Sequence, residues 1–60
     1  MNDAITIKEI SGERIETIPV GTKFEIVCEC PNYFYATCRG LGVSSVWLDE
    51  FRYLKEDENV

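Results

Sequence analysis

Between Thr22 and Cys30 the side chains alternate without a break: Phe24, Ile26, Cys28 and Cys30 fall on one side, Lys23, Glu25, Val27 and Glu29 on the other. A period of two is that of a half-buried β-strand. Two further strands follow directly. Cys30-Pro31-Asn32 supplies a turn, because proline presets φ and asparagine tolerates tight geometry. Tyr33 to Arg39 then returns, with Phe34, Ala36 and Cys38 on the buried side and Tyr33, Tyr35 and Thr37 outward. Gly40-Leu41-Gly42 turns the chain again, and Val43 to Leu48 reads as a third consecutive strand.

The flanking segments fit the same class. Ala4 to Ile10 carries Ile5, Ile7 and Ile10, β-branched and nearly alternating, which suits a half-buried strand. Glu13 to Ile18 is too short for a lasting helix and is expected as an irregular strand or looped return ending at the Pro19-Val20-Gly21 turn. Leu48-Asp49-Glu50-Phe51 reads as one short 3₁₀ turn, with Asp49 and Glu50 capping it, and Tyr53-Leu54 as a last short strand. Sixty residues allow a single domain, and a chain this small buries only about 60% of its unfolded surface. That is too little for a β-sandwich, whereas a closed barrel leaves no strand edge exposed. The expected fold is therefore all-β, a small five-stranded barrel over residues 1–55 with an acidic disordered tail at 56–60.

Composition excludes several function classes. Hydrophobic residues at 45% and charged residues at 28% are ordinary for a folded domain, so the chain is not compositionally disordered. Six basic against eleven acidic residues leave a net charge of −5, and nucleic-acid binding draws on the opposite balance. Direct DNA or RNA binding is not expected; an acidic surface suits a basic partner, or a mimic of nucleic acid. No apolar run approaches the roughly 20 residues of a membrane span, and Met1-Asn2-Asp3 has neither the basic patch nor the apolar run of a signal peptide. The expected compartment is the cytosol.

Candidate chemistry is sparse. Histidine is absent, removing the commonest general base. Cys28, Cys30 and Cys38 form a C-x-C-x7-C set without a histidine, a weak metal signature, and a reducing compartment argues against a disulfide. They read as buried thiols. No metal, cofactor or catalytic residue is expected, and the chain does not read as an enzyme.

Three pieces carry a resemblance to a known family. Gly21-Thr-Lys-Phe-Glu-Ile-Val27, Asn32-Tyr-Phe-Tyr-Ala36 and Val46-Trp-Leu-Asp-Glu-Phe51 are similar, in order and spacing, to the strands and closing 3₁₀ turn of SH3 domains. The resemblance covers Val20 to Leu54. It implies an SH3-like barrel of the divergent type found in bacteria and their phages, including a phage or prophage origin. It also argues against proline-rich ligands. Tyr33 stands where those domains carry a tryptophan and Leu48 where they carry a proline, Phe51 lacks the tyrosine hydroxyl of that turn, and Ile5 to Ile10 has no aromatic residue.

What remains is a binding surface. Tyr33, Tyr35 and Tyr53, with Trp47 and Phe51 near the closing turn, form the expected aromatic patch for a protein partner, since aromatic residues anchor interfaces. Phe24, Phe34 and Trp47 compete for a place in the core. The chain thus reads as a small protein-binding module or inhibitor. The alternatives are a barrel that homo-oligomerises to supplement its core, or an acidic decoy for a nucleic-acid-binding protein.

Overall fold

The computed structural model describes residues 2–12 and 15–58. Met1, Glu13, Arg14, Asn59 and Val60, which include part of the expected looped return and of the acidic tail, lie outside the described residues. The protein is all-β. Strands β1 (Asn2–Thr6), β4 (Lys23–Cys30), β5 (Tyr35–Arg39), β6 (Ser45–Trp47) and β7 (Phe51–Tyr53) build one antiparallel sheet in the order β6-β5-β4-β1-β7. Strands β2 (Ile10–Gly12) and β3 (Ile15–Ile18) form a separate two-stranded hairpin between β1 and β4. A 3₁₀ turn at Leu48–Glu50 links β6 to β7, and a second spans Glu56–Glu58 at the start of the acidic tail.

The sheet does not close into the expected barrel. Its outer strands β6 and β7 are not hydrogen-bonded to each other. The chain crosses from one edge of the sheet to the other within the three residues of the 3₁₀ turn, and both flanking residues, Trp47 and Phe51, are extended. The two short strands therefore meet end to end rather than side by side, and no ladder can form between them.

One inner face carries the core: Ala4, Phe24, Ile26, Ala36, Val46 and Phe51 from the sheet, with Ile10 from the start of β2 and Leu41 from the loop after β5. Phe24 and Phe51 meet edge to face, ring centroids 5.9 Å apart. Leu41 reaches this core because Gly40 and Gly42 on either side take φ of +83° and +87°, which only glycine adopts freely.

Parity in β1 is the reverse of the isoleucine pattern. Ala4 and Thr6 point inward, Ile5 is half-buried and Ile7 is exposed. Ala4 stands opposite Phe24 and Thr6 opposite Phe51, and two phenyl rings leave room only for small side chains between them. Ile10 is buried, but after the chain has left the strand.

Thr6 is the buried polar residue of the core, 2% exposed. Its hydroxyl donates to the Pro19 carbonyl at 2.9 Å and accepts from the Thr22 amide at 2.9 Å. Its backbone bonds Thr22 and Gly21, and the Thr22 hydroxyl donates to the same Pro19 carbonyl at 2.8 Å. The turn that returns the β2–β3 hairpin to the sheet is thereby pinned to β1. The hairpin's other root is tied by the Ile7 amide donating to the Glu50 carbonyl at 2.9 Å and by an exposed Lys8–Asp49 ion pair, also 2.9 Å. The Lys8 ammonium holds the Asp49 carboxyl below the ordinary carboxylate range.

β4 departs from its alternation at one point. Ile26 pairs with Cys38, but the next registered pair is Cys28 with Thr37: two steps on β4 against one on β5. Val27 is the extra residue of a β-bulge. Beyond it the faces exchange. Glu29 lies opposite buried Ala36, while Cys28 and Cys30 are turned outward. Cys28 is exposed and Cys30 and Cys38 are half-buried, all with free thiols, so the expectation of an inward, buried Cys28 is overturned by the bulge. The Cys38 thiol donates to the Val43 carbonyl at 3.1 Å, and burial raises its pKa. Phe34, expected inward, sits in the turn before β5 and is 78% exposed, because pairing with β4 begins only at Tyr35.

Two substitutions test this arrangement by thermal and urea melts. Phe24→Ala removes a ring whose loss costs about 3–5 kcal/mol, comparable to the whole stability a core this small supplies, and is expected to leave the chain unfolded at 25 °C. Thr6→Val strands the Thr22 amide and weakens the Pro19 turn, for a loss of about 2 kcal/mol, whereas Thr6→Ser retains most of it. Equal melting of Thr6→Val and wild type would show the hydroxyl to be idle.

Candidate aromatic docking face

The bulge and the register together lay out the sheet's outer face beyond Val27. Side chains directly opposite one another share a face, so Cys30, Tyr35 and Trp47 form one cross-strand row and Cys28, Thr37 and Ser45 the next. Tyr35 stacks at a tilt on Tyr33, ring centroids 5.6 Å apart, and meets Trp47 edge-on at 6.4 Å. The three rings are continuous. Tyr33 is 61% exposed and Trp47 57%.

Trp47 stands on a well-tethered segment. Its amide donates to Glu50 Oε1 at 2.7 Å, so Glu50 caps the 3₁₀ turn as expected. The next amide, Leu48, donates to the Phe34 carbonyl at 3.2 Å. Since Leu48 bonds inward to Phe34, just ahead of β5, the Trp47 amide faces away from β5, and the Glu50 carboxylate occupies it at the sheet edge. The indole is the common wall of two shallow grooves. One runs between Phe34, Trp47 and Leu48 and is bordered by Lys8, Asp49 and Glu50; the other runs between Tyr35, Ser45 and Val46.

Of the five expected patch residues, Tyr33, Tyr35 and Trp47 are brought together. Phe51 is 6% exposed, inward on β7 against Phe24, and cannot offer its ring to a partner; this corrects its placement near the patch. Tyr53 shares the inner side with Phe51, since it pairs with buried Ala4, and it emerges at the rim. Its ring packs edge-on against Phe51 at 5.5 Å, and its hydroxyl donates to Glu29 Oε2 at 2.5 Å. That bond exists because the bulge put Glu29 on the inner side. The residue missed from the patch is Phe34, assigned to the core by an alternation that starts two residues before β5 does.

Among the described residues no group of three or more Cys, Asp or Glu is placed to hold a metal ion. No described helix is long and apolar enough to cross a membrane.

The Glu29 carboxylate, and secondarily burial, push the Tyr53 hydroxyl up to about 12. A raised folded pKa favours the protonated phenol. The bond therefore contributes in full below the unfolded tyrosine pKa near 10 and is lost as pH rises through 12. Ultraviolet titration is expected to show one tyrosine ionising near 12, absent in Tyr53→Phe. The stability difference between the two proteins should be constant up to about pH 10 and then decline until it is gone once pH passes about 12; a difference that persists in stronger alkali would contradict this.

Set against models of known families, curated proteins and solved structures, the chain matches none of them.

Proposed function

We propose that this chain is a small protein-interaction module of SH3-like architecture that docks a protein partner through Tyr33, Tyr35 and Trp47, with Phe34 at the margin. The architectural part is supported by the strand order β6-β5-β4-β1-β7, by the hairpin inserted between β1 and β4, and by the 3₁₀ turn between the last two strands of the sheet. The functional part is carried by one observation. A chain with a thin core keeps its only tryptophan in solvent together with Tyr33, Phe34 and Tyr53, and Tyr33, Tyr35 and Trp47 are in contact. Each aromatic ring buries about 150–250 Å² when enclosed. Rings placed for stability would be inside; rings grouped outside on a tethered strand suit an interface. The chain carries no histidine, and the two cross-strand rows that hold Tyr35 and Trp47 contain no charged residue, which favours binding over catalysis.

A photo-crosslinking residue in place of Tyr33 tests this in the producing cell, with the same residue in place of Val20 as control. Both positions are 61% exposed, and Val20 lies in the Pro19–Gly21 turn. A discrete protein adduct is expected from position 33 only, and Trp47→Ala should remove it without moving the melting temperature, because truncating such an anchor weakens binding by about 2 kcal/mol or more. Identical adducts from both positions, or none from either, would overturn the docking face.

A further inference from the structure

The two rows of the outer face, Cys30–Tyr35–Trp47 and Cys28–Thr37–Ser45, contain no charged residue, in a chain where seventeen of sixty residues (six basic and eleven acidic) are charged. We infer that the occupant of this face is a second copy of the chain, packed sheet against sheet about a two-fold axis. The inference rests on the docking reading above and names its partner.

Charge is the first argument. Two copies of net charge −5 repel, and they can meet closely only where neither presents a like charge to the other. This face meets that condition. The charges lie around this patch rather than in it: the next row along the sheet is Asp3, Glu25 and Arg39, and Lys8, Asp49 and Glu50 border the indole on the other side.

Geometry is the second. A two-fold contact requires a self-complementary patch. Rings, hydroxyls and thiols can each face their own kind, and two sheets stacked about 10 Å apart would turn both outer faces into the inside of a sandwich. The sheet edge is a poorer route, because the outward amide of Trp47 is already taken by the Glu50 carboxylate.

Area sets the strength. With Tyr33, Phe34 and Trp47 each more than half exposed, the rings and their neighbours offer roughly 500 Å² per copy, or about 1,000 Å² in the contact. That lies just under the 1,200–2,000 Å² typical of stable interfaces. The association is therefore weak and concentration-dependent.

Sedimentation equilibrium of the full chain in reducing buffer, from micromolar to millimolar protein, tests the inference. The weight-average mass is expected to climb from the chain mass of 6.9 kDa towards twice that value. Trp47→Glu, which sets a carboxylate on each side of the axis, should hold the mass at that of one chain, with melting used to verify that the variant is folded. Val20→Glu, equally exposed elsewhere, should dimerise as wild type does. A wild type that stays monomeric to millimolar concentration overturns the second copy, and the docking reading survives if position 33 still crosslinks to another protein. Dimerisation that Trp47→Glu leaves intact overturns this face as its site.

Discussion

The hydroxyl of Thr6 is the point on which the remaining structure depends. It lies in the core between β4 and β7, where an unpaired polar atom would be costly, and it is both donor and acceptor to one turn. Because Pro19 and Thr22 are held there, the chain enters β4 at a defined residue. Phe24 then comes down on Ala4 and Phe51 comes down on Thr6 itself. A longer side chain at either small position would push a ring out of the core. The smallness of Ala4 and Thr6, together with the hydrogen bonds of Thr6, sets the inner face of the sheet.

The second determinant is the unpaired residue at Val27. Before it, β4 contributes Phe24 and Ile26 to the interior; after it, the same strand gives Glu29 to the inner rim and two cysteines to the outside. One additional residue therefore accounts for two unlike features, the Tyr53–Glu29 bond at the rim and the uncharged outer face beside the aromatic rings. Without the bulge, Glu29 would stand on the outer face next to Tyr35 and Trp47. That face would then be acidic.

How much of this was legible in the sequence follows from the same residues. The strand beginning at Lys23, the glycine turn around Leu41, the 3₁₀ turn after Trp47 and its Glu50 cap are all local, set by alternation, by φ and by a short-range hydrogen bond, and they read correctly. The failures are non-local. Isoleucines outweigh Ala4 and Thr6 in any hydrophobic pattern, and only the rings on neighbouring strands decide which set goes in. A bulge leaves no mark in an alternating sequence, so Cys28 was placed inward. Phe34 and Phe51 exchanged expected roles for a similar reason. Phe34 lies in the turn before β5, which gains its partner only at Tyr35, and Phe51 is drawn inward by Thr6 and Phe24. Closure of the barrel depended on the ends of β6 and β7, which no local signal describes.

The position of β1 has a consequence for how the protein is made. It is the earliest strand of the sheet, yet it sits between β4 and β7, and its second edge is covered by residues 51–53. During synthesis that edge stays open until nearly the whole described sheet has left the ribosome. An open edge beside apolar side chains is a template for wrong pairing, and contacts this distant in sequence form slowly. The three-residue 3₁₀ turn then acts as a kinetic clasp: once β6 has paired with β5, it delivers β7 close to the waiting edge and shortens the search. The nascent chain is most exposed to misassembly just before the clasp shuts.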